Sequence, residues 1–203
     1  MNKVFSCLIM AIVLFGCSDT AKKSAFEGDM IKHATAPVGT IPSESIYMLR
    51  DTFSTQDNQQ VALTHFTGKP TVLGMIFTNC NYACPRLTAD IKSIKEKLGE
   101  NGEDVNYVLV TFDTERDTPA QLKKYAESID LDKNWTLLHG NEESVRTLSV
   151  LLNLQFEKDA EGNFSHSNLI SVLDKEGILK FQKEGLEANH EMTITTIKEI
   201  INK

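Results

Sequence analysis

The chain has 203 residues, of which 41% are hydrophobic and 24% charged, and its formal net charge is −7. This length and apolar content suffice for a substantial core, and one domain is the expectation for a chain of this size. The acidic balance, without basic clusters, argues against nucleic acid and against anionic lipid as binding partners.

The first sixteen residues have the proportions of an export signal. Lys3 is their one charge, and the apolar run from Val4 to Phe15 is shorter than a membrane-spanning helix. The run leads into Gly16-Cys17-Ser18, which resembles the cleavage box of bacterial lipoproteins, with Cys17 as the lipidated residue. On this interpretation residues 1–16 are a lipoprotein signal peptide. An ordinary signal peptide cut nearby and an uncleaved anchor are the alternatives.

The segment after the signal is polar, contains proline and glycine, and shows no clear periodicity. Such a composition is typical of a linker. We therefore expect a lipid-anchored flexible tether over residues 17–43 and one folded domain over residues 44–203. The protein is then exported and membrane-anchored, and it faces the periplasm or another extracytoplasmic space.

From Ile46 onward the hydrophobic pattern becomes regular, and strands alternate with helices. In chain order it predicts short strands at 51–55 and 60–63, a buried strand at 71–77, a helix at 86–98, a buried strand at 105–112, a helix starting at 117–119, a short strand at 135–138, a helix at 142–152, a hairpin of 168–173 with 178–181, and a helix at 191–201. This alternation predicts an α/β domain with a mixed central sheet flanked by helices.

Cys80 and Cys84 are the most informative residues of the sequence. They lie between the strand at 71–77 and the helix at 86–98, where the positive end of a helix lowers the pKa of a thiol. If the chain is cleaved before Cys17, these two are the thiols that remain free. An exported protein with one thiol pair has it for a disulfide, a metal ion or redox exchange, and the pattern leaves these uses open.

Three segments together carry a family resemblance: Cys80 to Pro85, Asp113 to Pro119, and Phe164 to Ser167. In this order and spacing they resemble the SCO/SenC family of thioredoxin-like proteins, and the resemblance extends over residues 45–203. It implies a thioredoxin-like fold and a copper site made of the two loop cysteines and the later histidine.

Carried over to this chain, the implied copper ligands are Cys80, Cys84 and His166, for Cu(I) or Cu(II). The family acts in maturation of the binuclear copper centre of cytochrome c oxidase, by delivering copper or by keeping the oxidase cysteines reduced. The expected partner is the oxidase subunit that carries this centre, or another exported thiol or copper protein. The expected function is a metallochaperone rather than an enzyme.

The alternative is a membrane-anchored thiol–disulfide oxidoreductase with Cys80 and Cys84 as its redox pair, which needs no histidine. A stabilising disulfide, a peroxidase or redox-sensor role, and a purely structural lipoprotein are further alternatives.

Two other positions receive an expectation from their place in the pattern. His166 lies in a predicted loop between Gly162 and Asn168, where a lone histidine is usually just solvated, so its assignment as a ligand rests on the resemblance. Asp113 ends a buried strand beside the thiol loop, where a carboxylate could orient His166 or carry a proton during thiol exchange. An ordinary solvated strand end is the alternative for Asp113, and Asp117 is expected to cap the next helix.

Overall fold

The structure is a computed structural model that describes residues 41–186 and 189–203. The expected signal peptide at 1–16, the lipidated Cys17 and residues 17–40 of the expected tether lie outside the described residues. Within the described part of the chain, no helix is long and apolar enough to cross a membrane.

The described domain contains strands and α-helices that we number in chain order. The strands are β1 Thr52–Thr55, β2 Gln60–Ala62, β3 Thr71–Ile76, β4 Asn106–Thr111, β5 Trp135–His139, β6 Phe156–Lys158, β7 Phe164–His166, β8 Leu169–Leu173 and β9 Leu179–Glu184. The helices are α1 Ala83–Leu98, α2 Pro119–Ser128, α3 Glu142–Leu151 and α4 Glu191–Ile201. Short 3-10 helices occur at Ile46–Met48, Leu63–Phe66 and Gly99–Asp104.

Seven strands form one mixed sheet in the order β2-β1-β5-β4-β3-β8-β9. The central strands β3, β4 and β5 are parallel, whereas β1, β2, β8 and β9 join by antiparallel pairing. Helices α1 and α2 are the crossover connections that parallel strands require, and α1, α2 and α4 pack against the sheet. The predicted α/β class, with a mixed central sheet flanked by helices, is confirmed.

The carboxyl ends of β3 and β4 meet at one edge of the sheet. Every residue of β3 is buried, as expected for a strand in the parallel centre of an α/β sheet. Ile76, the last residue of β3, is in register with Thr111, the last residue of β4. The segments that follow these two strands therefore leave the sheet side by side, at the edge where open α/β sheets bind ligands.

Helix α1 packs directly onto β3 because Gly74, in the middle of that strand, has no side chain. A Cβ atom at Gly74 would lie 3.2 Å from Cδ1 of Ile91, tighter than a normal carbon contact. Ile91 and Leu87 are fully buried at this contact. The α1 helix also begins earlier than the predicted residue 86, so that Pro85 lies in its first turn, where proline is tolerated because the N–H has no helical partner.

A short hairpin formed by β6 and β7 was not predicted. Its two strands have three residues each and form a two-stranded sheet separate from the main sheet. The register places Phe156 opposite His166, so the predicted loop position of His166 is wrong and this residue ends β7. Strands this short, with little apolar alternation, give no clear period in the sequence.

Candidate metal centre

Cys80 lies in the connection between β3 and α1, and the first turn of α1 points its amides at the sulfur. The Cys84 N–H donates to Cys80 Sγ over 3.3 Å. Burial opposes ionisation of this half-buried thiol, but hydrogen bonds from the backbone N–H groups of Cys84, Tyr82 and Ala83 outweigh it and lower the pKa of Cys80. Cys80 is therefore the thiol that ionises more readily, as the position before a helix predicts.

Cys84 lies within the first turn of α1 and is fully buried, so the prediction that both thiols lie in the loop is correct only for Cys80. Its sulfur accepts a hydrogen bond of 3.4 Å from the Phe77 N–H. Burial raises the pKa of the Cys84 thiol, and the nearby charges of Cys80 and Asp117 raise it further. The two cysteines are free thiols with opposite pKa shifts, so they are chemically distinct.

His166 presents one ring nitrogen to the thiols. Its Nδ1 lies 3.1 Å from the carbonyl oxygen of Ser167. Because a carbonyl can only accept, Nδ1 carries the hydrogen, and Nε2 of the neutral ring keeps its lone pair. That Nε2 lies 3.8 Å from Cys84 Sγ.

The three candidate ligand atoms, from Cys80, Cys84 and His166, all lie within 4.8 Å of one another. Among the described residues this is the one such group of histidine, cysteine or acidic side chains that could hold a metal ion. Two sulfurs and an imidazole nitrogen suit Cu(I), and the imidazole also suits Cu(II). The donor set therefore fits copper in both oxidation states.

Aromatic rings cover one side of this group. The His166 ring centroid lies 4.9 Å from that of Phe112 and 6.1 Å from that of Phe77. Phe164 stands beside both phenylalanines, at 5.0 Å from Phe112 and 5.2 Å from Phe77. Tyr82, by contrast, is 67% exposed next to Cys80. The site is thus closed by apolar rings behind the imidazole and open on the side of Cys80.

Asp113 lies at the carboxyl end of β4, two residues after its last residue, but its surroundings are not those of a solvated strand end. Its side chain is fully buried and forms an ion pair with Nε of Arg116. Its backbone N–H donates to Thr111 Oγ1 over 3.0 Å. The partner of His166 Nδ1 is the Ser167 carbonyl, so the expected role of Asp113 in orienting the histidine or carrying a proton stays a prediction.

The expectation that Asp117 caps α2 is wrong, because Thr118 is the N-cap and accepts from the Gln121 N–H. The buried Asp117 carboxylate instead accepts from the N–H and hydroxyl of Thr78, at 2.8 and 2.5 Å, and from Thr111 Oγ1 at 2.6 Å. Asp117 therefore ties the segment leading to Cys80 to the end of β4. Sequence reasoning missed this link, although all three polar residues flank the predicted carboxyl ends of neighbouring strands.

Comparisons with known proteins agree with this geometry. A family model described as SCO1/SenC matches residues 46–202. An SCO1 protein homolog from Bacillus subtilis (strain 168) is 37% identical over 94 residues, which are 46% of this chain and 49% of that protein, so the match spans about half the length of that relative.

Two solved structures show the same fold. ScoI of Bradyrhizobium japonicum with copper bound has a TM-score of 0.64 at 24% identity, over 74% of this chain and 96% of that one. BsSco, a member of the Sco family of cytochrome c oxidase assembly proteins in which a disulfide switch was identified, has a TM-score of 0.64 at 26% identity, over 73% and 90%. The thioredoxin-like architecture expected from the sequence is confirmed, and because the family model covers most of the chain, the chain belongs to the SCO1/SenC family.

Proposed function

We propose that this protein is a copper metallochaperone that delivers copper to, or matures, the binuclear copper site of cytochrome c oxidase. The observation that carries the proposal is the convergence of two sulfurs and one imidazole nitrogen within 4.8 Å. Copper-bound ScoI and the oxidase-assembly protein BsSco, which share the fold, support it. Copper is the cargo here, and Cys80, Cys84 and His166 are its proposed ligands.

The described residues suit a site that must both hold and release its cargo. Cys84 is fully buried and His166 packs against the aromatic rings, whereas Cys80 is half-buried and lies near the exposed Tyr82. A recipient thiol can therefore approach from the side of Cys80 without displacing the aromatic rings. Thiolates bind Cu(I) and the imidazole extends the set to Cu(II).

We further propose that the protein acts outside the cytoplasm, held to a membrane by lipid on Cys17 and by a tether over residues 17–43. The proposed partner is the oxidase subunit that carries the binuclear copper site, or another exported thiol or copper protein. The lipoprotein-like sequence at Cys17 supports the anchor. Mass spectrometry of the membrane fraction tests it, since lipidation adds acyl mass to a peptide that begins at residue 17.

A second candidate function is thiol–disulfide exchange, and the unequal thiols favour it. The Cys80 thiolate would attack a partner disulfide, forming a mixed disulfide and releasing one partner thiolate that takes up a proton. Cys84 would then lose its proton and attack Cys80 Sγ, forming the Cys80–Cys84 disulfide and releasing the second partner thiol. The partner gains two electrons and the protein pair loses them.

A copper titration of the reduced protein separates the two functions. We expect one-to-one binding in the wild type, loss of binding in Cys80→Ser, and sharply weaker Cu(II) binding in His166→Ala with an unchanged fold by circular dichroism. His65→Ala is the matched control, because His65 is exposed on the 3-10 helix at 63–66. Weak binding that is indifferent to His166 would leave the dithiol exchanger as the better account.

A further inference from the structure

The β6–β7 hairpin brings His166 to the thiols without belonging to the main sheet. Within residues 41–186 and 189–203, its ladder joins β6 to β7 alone, and no strand of the main sheet holds it by backbone pairing. The contacts that hold the hairpin in place therefore also determine the distance between the His166 ring and Cys84.

Besides the aromatic packing, a charged side chain links the segment after β4 to this hairpin. Arg116, in the segment after β4, uses Nε to pair with the buried Asp113 carboxylate and Nη2 to donate to the Gly162 carbonyl oxygen over 2.5 Å. Its guanidinium carbon also lies 5.8 Å from the ring centroid of Phe164. Arg116 thus contacts both the hairpin turn and the strand that ends in His166.

The two ends of this bridge are themselves fixed. Asp113 is anchored by its backbone N–H on Thr111, the last residue of β4. Gly162 sits in a turn with φ of 82°, and the turn is closed by a hydrogen bond of 2.7 Å from the Asn163 N–H to the Asp159 carboxylate. Because each end is held by a hydrogen bond, the planar donor fork of the arginine sets the spacing between them.

We propose that Arg116 is a positioning residue for copper binding, which clamps the β6–β7 hairpin so that the His166 imidazole stays within reach of the two thiols. This inference rests on the proposed copper function and assigns a part of it to a residue that touches none of the three ligands' donor atoms. Cys80 lies in the connection between β3 and α1, and Cys84 lies in α1, both outside the clamp, so the chemistry of the thiols does not depend on it.

The test compares Arg116→Ala and Arg116→Lys in the purified full chain. Arg116→Ala leaves the buried Asp113 charge without its partner and can lower stability. Arg116→Lys keeps a positive charge for Asp113, but an ammonium lacks the fork that spans carboxylate and carbonyl. Lys123→Ala is the control, since Lys123 is an exposed cation that pairs with Asp57 away from the hairpin.

We expect both Arg116 variants to bind Cu(II) about tenfold or more weakly, the range found when groups that orient metal ligands are removed. The nitrogen hyperfine coupling of bound Cu(II) should change, while the reduction potential of the metal-free dithiol stays that of the wild type. Lys123→Ala should match the wild type in all three measurements.

A double-mutant cycle with His166→Ala makes the test specific. In the His166→Ala background, Arg116→Lys should cause no further loss of Cu(II) affinity, because the clamp acts only through the histidine. An equal loss in both backgrounds, or a shifted dithiol potential, would show a general structural role and overturn the proposal. An affinity for Cu(II) that is unaffected by His166→Ala would instead remove the histidine from the ligand set and leave no role for the clamp, whereas absence of copper binding in the wild type would overturn the proposed copper function itself.

Discussion

The thiols and the histidine of the candidate site are held by two differently built parts of the molecule. Cys80 and Cys84 follow β3, a fully buried strand in the middle of the seven-stranded sheet. His166 ends a three-residue strand of a separate two-stranded sheet, fixed by aromatic packing and by Arg116. Core backbone thus sets the thiol positions, whereas side-chain contacts set the histidine. Substitutions that move or remove the imidazole should therefore leave the reactions of the two thiols unchanged.

The largest expected effect lies in the main sheet. Leu109 is fully buried in β4, and Leu109→Ala should lower the free energy of unfolding by about 2–5 kcal/mol, the usual cost of such a cavity. Phe156→Ala in the hairpin removes a ring stacked on Phe112 but partly exposed, so it should cost less stability while still weakening Cu(II) binding. Urea denaturation measures the free energy of unfolding of both variants. An equal loss of stability in the two would contradict the difference between the main sheet and the hairpin.

Asp117→Ala should come next in size. It leaves the buried hydroxyl of Thr111 without its acceptor, which costs about 1–3 kcal/mol, whereas the donors of the half-buried Thr78 remain within reach of water. Because Thr78 precedes Cys80 by two residues, the rate of Cys80 alkylation should change as well. Asp57→Ala removes a half-exposed carboxylate and serves as the control. Unchanged stability in Asp117→Ala would show that the loop is not tied to β4 by this carboxylate.

The third expected effect is a difference in pH dependence between the two thiols. Since the pKa of Cys80 is lowered, the Cys84→Ser variant should be alkylated by iodoacetamide with a midpoint below the ordinary thiol value of about 8.5. Since the pKa of Cys84 is raised, the Cys80→Ser variant should react slowly, with a midpoint above that value. Reversed midpoints would mean that Cys84, not Cys80, is the attacking thiol.

The smallest expected effect is that of the outer ion pair on the hairpin. Lys158 lies 2.6 Å from Glu115, but the Glu115 side chain is 75% exposed, and water screens such pairs. Lys158→Ala should therefore leave the Tm and the Cu(II) affinity unchanged within error. A clear loss of affinity would show that the hairpin is held by this pair as well as by Arg116.

The sequence predicts the parts of the molecule that have a strong period or a sharp boundary. The sequence predicts β3 and β4 because their apolar residues form continuous runs. It predicts the helix at 191–201 because the apolar residues there recur with the helical period. The candidate ligands came from the spacing of the two cysteines and from the family resemblance.

Side-chain partnerships across the fold could not be found in this way. Asp117 reads as a helix cap by local rules, yet its acceptor atoms serve Thr78 and Thr111, which approach it only after the strands pair. Arg116 reads as an ordinary loop cation, since Gly162 lies 46 residues away along the chain. Such contacts depend on tertiary distance, which a local sequence pattern does not contain.

The missing side chain of Gly74 bears on the spacing of the two thiols. A Cβ atom there would lie 3.2 Å from Cδ1 of Ile91 and would press on α1. Cys84 lies in the first turn of that helix, whereas Cys80 precedes the helix, in a segment that Asp117 ties to the end of β4. A displacement of α1 therefore changes the separation of the two sulfurs, so a glycine in the middle of β3 helps to set the geometry of the candidate ligands.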